Sequence, residues 1–380
     1  KESYMGQIED YLDEFTLNGY SQEYKNFFSA VNQLTITPGD TSAKNQLINN
    51  AKSLADYFNT LTTNLRNVQA DANNEIKDAV QQINSYAKNI AALNRQINQI
   101  EANYGNANDL RDKRNAMIDE LSEIVNLETS EEDMGKNVSN FSERINGQTL
   151  VSSYSYNTLE TVARTDKKNY SDAEGLYDVQ WNSGQKFDMY STSLSGHLKG
   201  LIDIRDGNNG EHENIETDDD GNNVTDSDGN LVLTTAPAAD KTVSYKGVPY
   251  YQAQLNEFAK IFSDAVNKIM KSGYTSDGSS KGISLFVTQP NTTVMSAGNI
   301  TVNPELLKNA DLLAIKKEQN DGESDAKIME ELNKLQSEKI FAGGTGSYFL
   351  ESIVSDMSID SQKAVNLYKN YTDLKTSIHN

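Results

Sequence analysis

The chain has 380 residues, and its 55 acidic and 34 basic side chains give a formal net charge of -21 at pH 7. Such a negative surface repels phosphate backbones and anionic lipids, which argues against binding to nucleic acid or to a membrane surface. Cysteine is absent, which excludes disulfides, thiolate zinc sites and thiol nucleophiles, and the hydrophobic share of 36% favours an elongated molecule over a compact globule.

No apolar run approaches the roughly 20 residues that a membrane helix needs, and the N-terminus KESYMGQIED has no signal-peptide character. The chain starts without an initiator Met and ends within a helical pattern, in KTSIHN. We therefore expect a fragment of a longer protein.

A long helix is predicted from Leu47 onward, because apolar or small residues recur at spacings of four and three, as in one seam of a coiled coil. The alternation is strict up to Ala72, and one extra residue between Val68 and Ile83 makes the supercoil relax locally. The helix is expected to be about 55 residues long. Its seam consists of Leu47, Ala51, Leu54, Phe58, Leu61, Leu65, Val68 and Ala72, followed by Ile76, Val80, Ile83, Ala87, Ile90, Asn94 and Ile97.

A second helix is predicted in NDLRDKRNAMIDELSEIVNLE, after a break at Gly105. Asn108 is the expected N-cap, and Asp109 and Asp112 suit the positive first turn. A short break between two helices of matching period predicts an antiparallel hairpin. The stripe of the second helix consists of Leu110, Arg114, Met117, Leu121 and Ile124.

Short alternating segments follow, with an Asn-Gly turn in RINGQTLVSSY and an Asn-Ser-Gly turn in YDVQWNSGQKFDMYS. ISLFVT and NITVNP predict further short strands. The predicted units are 1–130, the first part of a helical bundle; 131–193, a β-rich domain; 194–206 and 248–272, helices that return to the bundle; 207–247, an acidic insert; 273–304, a loop with short strands; and 305–380, the second part of the bundle.

The predicted fold class is mainly α with an inserted β-rich part. We expect an elongated rod of long coiled-coil-like helices, in which the N- and C-terminal helices bundle together and a small β domain projects. Two later helices add seams to this bundle. They consist of Tyr251, Leu255, Phe258, Phe262, Ala265 and Ile269, and of Ala364, Leu367, Tyr371, Leu374 and Ile378.

The acidic tract ENIETDDDGNNVTDSDGN is a candidate calcium loop, because oxygen ligands alternate before a glycine. The EF-hand template requires a bidentate Glu at its twelfth position. That position is Ser227 when Gly221 is the turn glycine, and Thr235 when Gly229 is. An exposed hairpin or a disordered insert is the preferred interpretation.

Other motifs for chemistry are incomplete. His197, His212 and His379 form no HExxH arrangement, and His197 is expected to lie on a helix face. FAGGTG lacks the Lys-Ser/Thr of a P-loop and predicts a flexible joint between helices. The scattered tyrosines and Trp181 are expected in packing rather than in stacking platforms. No catalytic residue, metal ligand or cofactor is predicted.

The charged stretch NDLRDKR is the remaining candidate site. Asp109 and Lys113 are four apart on a helix and can pair in solvent, which is unlike an acid-base pair in an apolar cleft. Arg114 falls at a seam position, where burial demands a carboxylate or carbonyl partner. Glu101, just before the turn, is the predicted partner.

NDLRDKR resembles the N-D-L-x-D-x-R signature of the hook-associated protein 1 family of the bacterial flagellum, which matches at Asn108, Asp109, Leu110, Asp112 and Arg114. The resemblance extends to FFSAVNQLTITPGDTSAKNQLINNAKSLADYFN, INSYAKNIAALNRQI, LSGHLKGLIDIRD and VPYYQAQLNEFAKIFSDAVNKI. The chain departs from the family in Lys44, Lys113, Asn115 and the insert from Gly207 to Gly247, which leaves any shared contact of residues 44, 113 and 115 open.

The resemblance implies a non-enzymatic axial protein that is exported by the flagellar type III apparatus and lies extracellularly, as a ring between hook and filament. The implied partners are other copies, the hook protein, hook-associated protein 3 and an export chaperone that binds a terminal segment outside this chain. The chain alone is expected to be monomeric. The alternatives are a flagellin or a protein like hook-associated protein 3 and, from another class, a calcium-binding coiled-coil surface adhesin.

Overall fold

One long helix forms the axis of the protein. The computed structural model describes residues 2–17, 20–207, 215–226, 229–234, 246–322 and 324–379. Helices α1 (Glu2–Leu17) and α2 (Tyr20–Ile36) precede α3 (Thr41–Glu101), which has 61 residues. The side chain of Asp40 caps α3 by accepting from the Ser42 amide. All fifteen predicted seam residues are buried, so the long helix is confirmed.

The terminal helices pack together, as predicted. Helix α9 (Gly346–His379) lies on α1, where Ser361 Oγ donates to the carboxylate of Glu9. Helices α5 (His197–Asp206) and α6 (Val248–Ser272) lie against α3, and Tyr251 of α6 donates to Asp360 of α9. None of the described helices is long and apolar enough to span a membrane.

Aromatic rings fill the core at the end of the rod where α3 begins. Phe258 of α6 stacks on Phe341, with ring centroids 4.9 Å apart and planes 3° apart. Phe341 is the first residue of FAGGTG, so this predicted joint is fastened to the core at one end. The other rings of the cluster are Tyr24, Phe27, Phe28, Phe58, Phe262, Phe286 and Phe349.

The β-rich part lies along the second half of α3. Helix α4 (Asn108–Ile124) leads into a meander whose Asn146-Gly147 turn has positive φ at both residues, as the Asn-Gly pair predicts. Trp181 is buried against Phe187. The meander has the order β1 (Glu128–Asp133), β2 (Ser139–Ile145), β3 (Gln148–Ser152) and β4 (Ser155–Tyr156), and β5 (Leu159–Ala163) pairs with β6 (Tyr177–Trp181).

Two small antiparallel pairs cover the first half of α3. The strands predicted in ISLFVT and NITVNP are confirmed as β8 (Phe286–Thr288) and β9 (Ile300–Val302). Lys44 of α3 is buried there and donates to Ser276 Oγ at 2.8 Å and to Asp311 at 2.9 Å. The other elements are β7 (Tyr274–Thr275), which pairs with β10 (Ala314–Lys316), α7 (Pro304–Lys308) and α8 (Lys327–Lys334).

Side-chain amides join α3 to the strands beside it. Asn84 Nδ2 donates to the carbonyl of Leu159, and its Oδ1 accepts from the amide of the same residue, both at 2.8 Å. Asn98 makes the same two bonds with Ser139, at 2.8 and 3.0 Å. On α6, Asn267 binds Phe286 in this way. Each amide therefore satisfies both backbone groups of one residue.

The predicted seams of α6 and α9 need correction. In α6, Val266 and Met270 are buried in place of Ala265 and Ile269, which are half-buried, so the buried stripe shifts by one residue. In α9, Ala364 is buried, but Leu367 and Tyr371 are 52% and 69% exposed. Heptad spacing identifies a helical face, and these residues have no neighbouring element to cover them among the described residues.

In the described part of the acidic insert, two aspartates accept hydrogen bonds from backbone amides a few residues later. Asp218 Oδ1 accepts from the amides of Asp220 and Asn222, and Asp226 Oδ1 accepts from the Asn230 amide. These bonds hold the pKa of Asp218 below its ordinary value. The carboxylates are therefore used within the insert.

We expect Asn84→Ala to lower the free energy of unfolding by about 2 kcal/mol, because the Leu159 amide and carbonyl lose their partner. The measurement is urea denaturation together with hydrogen exchange at the Leu159 amide, which should become faster. Asn45→Ala is the matched control, since Asn45 Nδ2 donates only within its own helix and is exposed. Equal midpoints for the two variants would contradict the role of Asn84.

Candidate functional site at the end of the helical hairpin

The turn between α3 and α4 is built by local hydrogen bonds. Gly105 N donates to the Ile100 carbonyl, and a Cβ at Gly105 would lie 2.7 Å from Ile100 Cγ2, so glycine fits best there. Asn106 Oδ1 accepts from Asn108 N at 3.0 Å. The prediction that Asn108 is the N-cap is therefore wrong. Ala107 is the N-cap residue, and the capping side chain comes from the residue before it.

Arg111 binds two carboxylates at the mouth of the hairpin. Its Nε and Nη2 donate to the two oxygens of Glu101 at 2.7 and 2.8 Å, and its Nη1 donates to Glu131 of β1 at 3.0 Å. The hydrogen bond from Arg111 holds the pKa of Glu101 below its ordinary value. Arg111 thus joins α3, α4 and β1.

Arg114 lies deeper, and its burial confirms the sequence prediction. Its side chain is 4% exposed, and the guanidinium lies 4.0 Å from the ring centroid of Phe141. Nη2 donates to Glu131 at 3.0 Å, and Nη1 donates to Asn94 Oδ1 at 3.1 Å. The predicted partner Glu101 is wrong. In an antiparallel hairpin the later residues of α4 face earlier residues of α3, so Arg111 reaches Glu101 and Arg114 reaches Asn94.

Glu131 is the carboxylate shared by both arginines. Burial raises its pKa, but the hydrogen bond from Ser139 and the charges of Arg114 and Arg111 outweigh this and leave the pKa lowered. Glu131 is therefore held ionised. Together with Glu101, it balances the two guanidinium groups at the hairpin.

Glu143 of β2 is the buried titratable group of this region. Its side chain is fully buried, and neither carboxylate oxygen has a hydrogen-bond partner among the described residues. Burial raises the pKa of Glu143 to about 7, although the charge of Arg114 acts in the opposite direction. Glu143 thus retains its proton at a pH where an exposed Glu has lost it.

This arrangement is a structural clamp. Arginines hold Glu101 and Glu131 ionised, and Glu143 is closed off from solvent, so none of these three carboxyls combines a raised pKa with the access to solvent that a general acid needs. Asp109 and Lys113, which can pair by spacing, form no ion pair with each other in the described structure. The two arginines of NDLRDKR therefore join α4 to α3 and to β1.

A second buried ion cluster fastens α5 to the β5 and β6 pair. Asp206 is deeply buried, and Arg164 donates to its two oxygens at 3.1 and 2.8 Å, while Arg205 Nη2 donates at 2.6 Å. Burial raises the pKa of Asp206, but the charges of the two arginines lower it well below its ordinary range. No motif for chemistry in the sequence identifies this ion cluster. Its one sequence signal is the Asp-Ile-Arg-Asp ending of a buried helix.

The remaining candidates are dispersed. His197 begins α5 and is exposed, with Nε2 3.5 Å from a Glu75 oxygen. His212, Ser227 and Thr235 lie outside the described residues. Within the described ranges no three His, Asp or Glu side chains could hold a metal ion together.

A family model and several curated proteins are similar in sequence to this chain. A family model described as the helical domain of the flagellar hook-associated protein FlgK matches residues 5–286. Flagellar hook-associated protein 1 of Salmonella typhimurium is 30% identical over 285 residues, which cover 68% of this chain and 50% of that protein. Its counterpart in Bacillus subtilis is 23% identical over 287 residues, covering 73% and 50%.

A solved structure agrees in fold. The flagellar hook junction protein FlgK from Burkholderia pseudomallei aligns with a TM-score of 0.54 and 21% identity, covering 76% of this chain and 45% of that one. This confirms a helical rod that carries a β-rich part. The chain spans about half the length of the curated relatives it matches.

We expect Arg114→Ala to cost about 3 kcal/mol of unfolding free energy, because it leaves a cavity on Phe141 and removes a buried charge from Glu131. Arg111→Ala is the matched control, and its partly exposed pair should cost only about 1 kcal/mol. Urea denaturation measures both. Equal losses, or no loss for Arg114→Ala, would be inconsistent with the described clamp.

We expect Glu143→Gln to remove a pH dependence of stability. The folded-state pKa of about 7 exceeds the ordinary value of 4.5, so the folded state holds a proton that the unfolded state releases between these values. Stability therefore falls as pH rises through this window and stays low above it. At pH 8 the variant should be more stable by on the order of 2 kcal/mol, and at pH 4 it should equal the parent.

The readout for Glu143→Gln is the urea midpoint measured from pH 4 to pH 8. Glu132→Gln, an exposed neighbour on β1, is the control and should leave the pH profile of the parent unchanged. A parent profile that is flat between pH 4.5 and pH 7 would contradict the raised pKa of Glu143.

Proposed function

Because the chain belongs to the family of the flagellar hook-associated protein FlgK, we propose that it forms the helical body of a structural protein at the junction between hook and filament. The observation that carries the proposal is the family match over residues 5–286. That range contains most of α1, all of α2 to α6, the hairpin clamp and the whole β-rich part. The role is mechanical, and it requires no catalytic residue.

The geometry suits a part that transmits force. An α-helix of 61 residues is about 90 Å long, and the amides of Asn84 and Asn98 hold the β-rich part to it at two separate levels. Directional bonds at several levels resist sliding of strands along the helix. The ion pairs of Arg111 and Arg114 hold the end of the rod closed.

The proposed partners are other axial components: further copies of the protein, the hook protein and hook-associated protein 3. We also propose export by the flagellar type III apparatus, with a chaperone that binds a terminal segment outside this chain, and an extracellular location. Contacts in such an assembly are heterologous, because a helical array repeats one head-to-tail interface. The flagellin and calcium-adhesin alternatives have no specific observation that favours them.

The test uses the full-length protein in a motile strain that lacks the chromosomal gene. Immunogold labelling in electron microscopy should place the protein at a single level between hook and filament, and its loss should leave hooks without filaments. A strain complemented with the untagged gene is the control. Label along the whole filament would indicate a flagellin, label on the cell body would indicate an adhesin, and either result would overturn the proposal.

A further inference from the structure

Exposed apolar side chains gather at the hairpin end of the rod. Tyr104 is 89% exposed, and Met134, in the turn between β1 and β2, is 65% exposed. Ile100 lies one helical turn before Tyr104 and is 38% exposed. We call these three residues, together with the cleft between the two turns, the tip surface. Exposed aromatic and thioether side chains at one end of a molecule are typical of a surface that meets a partner.

A cleft of about 570 Å³ separates the two turns. Tyr104 lines it together with residues 137–139, and acidic residues from both sides contribute to the lining. Arg111 is the basic residue among its lining side chains, and both Glu101 and Glu131 already bind that guanidinium. The third carboxylate, Asp133, accepts only from the Gly135 amide among its described contacts. The cleft therefore carries excess negative charge.

The surroundings have the same sign. Residues 98–114 and 131–139, which form this end of the rod, include six acidic and four basic side chains. A lysine or arginine that enters the cleft would meet this field and the Tyr104 side chain, whose ring attracts a cation that lies over its face. A second copy of this chain, with its net charge of -21, would on average be repelled.

The two turns are also held in fixed shapes. Tyr104, Lys136 and Asn137 have φ values of 59°, 57° and 57°, in the left-handed region that non-glycine residues seldom adopt. Hydrogen bonds from Tyr104 N to Glu101 O and from Val138 N to Gly135 O hold these conformations. A preformed surface loses little conformational entropy when a partner binds.

We propose that the tip surface docks a basic segment of a different protein in the axial structure. An arginine or lysine of that segment occupies the cleft beside Tyr104, and its apolar neighbours pack on Met134 and Ile100. Asp133 supplies the carboxylate that recognises the cation. This inference rests on the proposed function, because it presumes neighbours in an axial assembly.

The experiment is site-specific crosslinking in the full-length protein within intact flagella. Tyr104 is replaced by the photoreactive p-benzoyl-phenylalanine, and the crosslinked peptides are identified by mass spectrometry. Tyr156, which is exposed on β4 at the opposite edge of the same sheet, is the control position. We expect a crosslink from position 104, and none from position 156, to a segment of another axial protein that contains an exposed arginine or lysine.

A charge variant tests the recognition step. Asp133→Asn keeps the acceptor for the Gly135 amide but removes the charge, and it should lower the crosslink yield by about fivefold. Glu132→Gln is the matched control, because alternation along β1 directs residue 132 to the other face of the strand. The yield with Glu132→Gln should equal that of the parent.

Several outcomes would overturn the inference. They are a crosslink to a second copy of this chain, a yield at position 104 no greater than at position 156, or equal yields for Asp133→Asn and Glu132→Gln. Immunogold labelling of the same cells distinguishes failure of the tip-surface proposal from failure of the proposed function. Protein that is present at the junction without the expected crosslink refutes the tip surface and leaves the proposed function intact.

Discussion

The bonding of side-chain amides to strand backbone is the interaction on which the rest of the structure depends. A helix satisfies its own peptide groups, so it offers nothing to the N–H and C=O groups of a strand that lies across it. Asn84 and Asn98 supply the missing partners, since a carboxamide carries the same donor and acceptor as a peptide. Without them, the backbone facing α3 at Leu159 and Ser139 would be left unpaired.

These bonds also determine register, which the hydrophobic seam cannot do. Apolar contacts along α3 depend little on a shift of two turns, because most of the seam repeats every seven residues. A side-chain amide that both donates to and accepts from the backbone of one strand residue can make both hydrogen bonds in only one register. Buried ion pairs add the same directionality, with Arg114 against Glu131 near the end of the hairpin and Arg164 against Asp206 beside α5. The molecule thus combines a periodic apolar contact with polar contacts that each permit one position.

The difference between periodic apolar contacts and position-specific polar contacts explains what could be predicted from sequence. The length of α3, the hairpin and the burial of Arg114 follow from the spacing of apolar residues along the chain, which is local information. The partner of Arg114 does not, because it depends on the axial offset between two helices. The exposure of Leu367 and Tyr371 could not be predicted either, because heptad spacing identifies the face of α9 on which they lie but not whether another element covers that face. The burial of Glu143 is ambiguous from sequence, because alternation places it on the face of Phe141 and Ile145 while its charge favours solvent.

The two ends of the rod differ in their chemistry, and this difference follows from how each end is closed. Stacked rings around Phe258 close the end where α3 begins, and they are buried among several helices. The hairpin end has too few elements to bury an apolar cluster, so arginine and carboxylate pairs join α3, α4 and β1 there. Ion pairs keep their strength only when partly shielded from water. The hairpin end is therefore the part of the rod whose stability a covering partner would increase most.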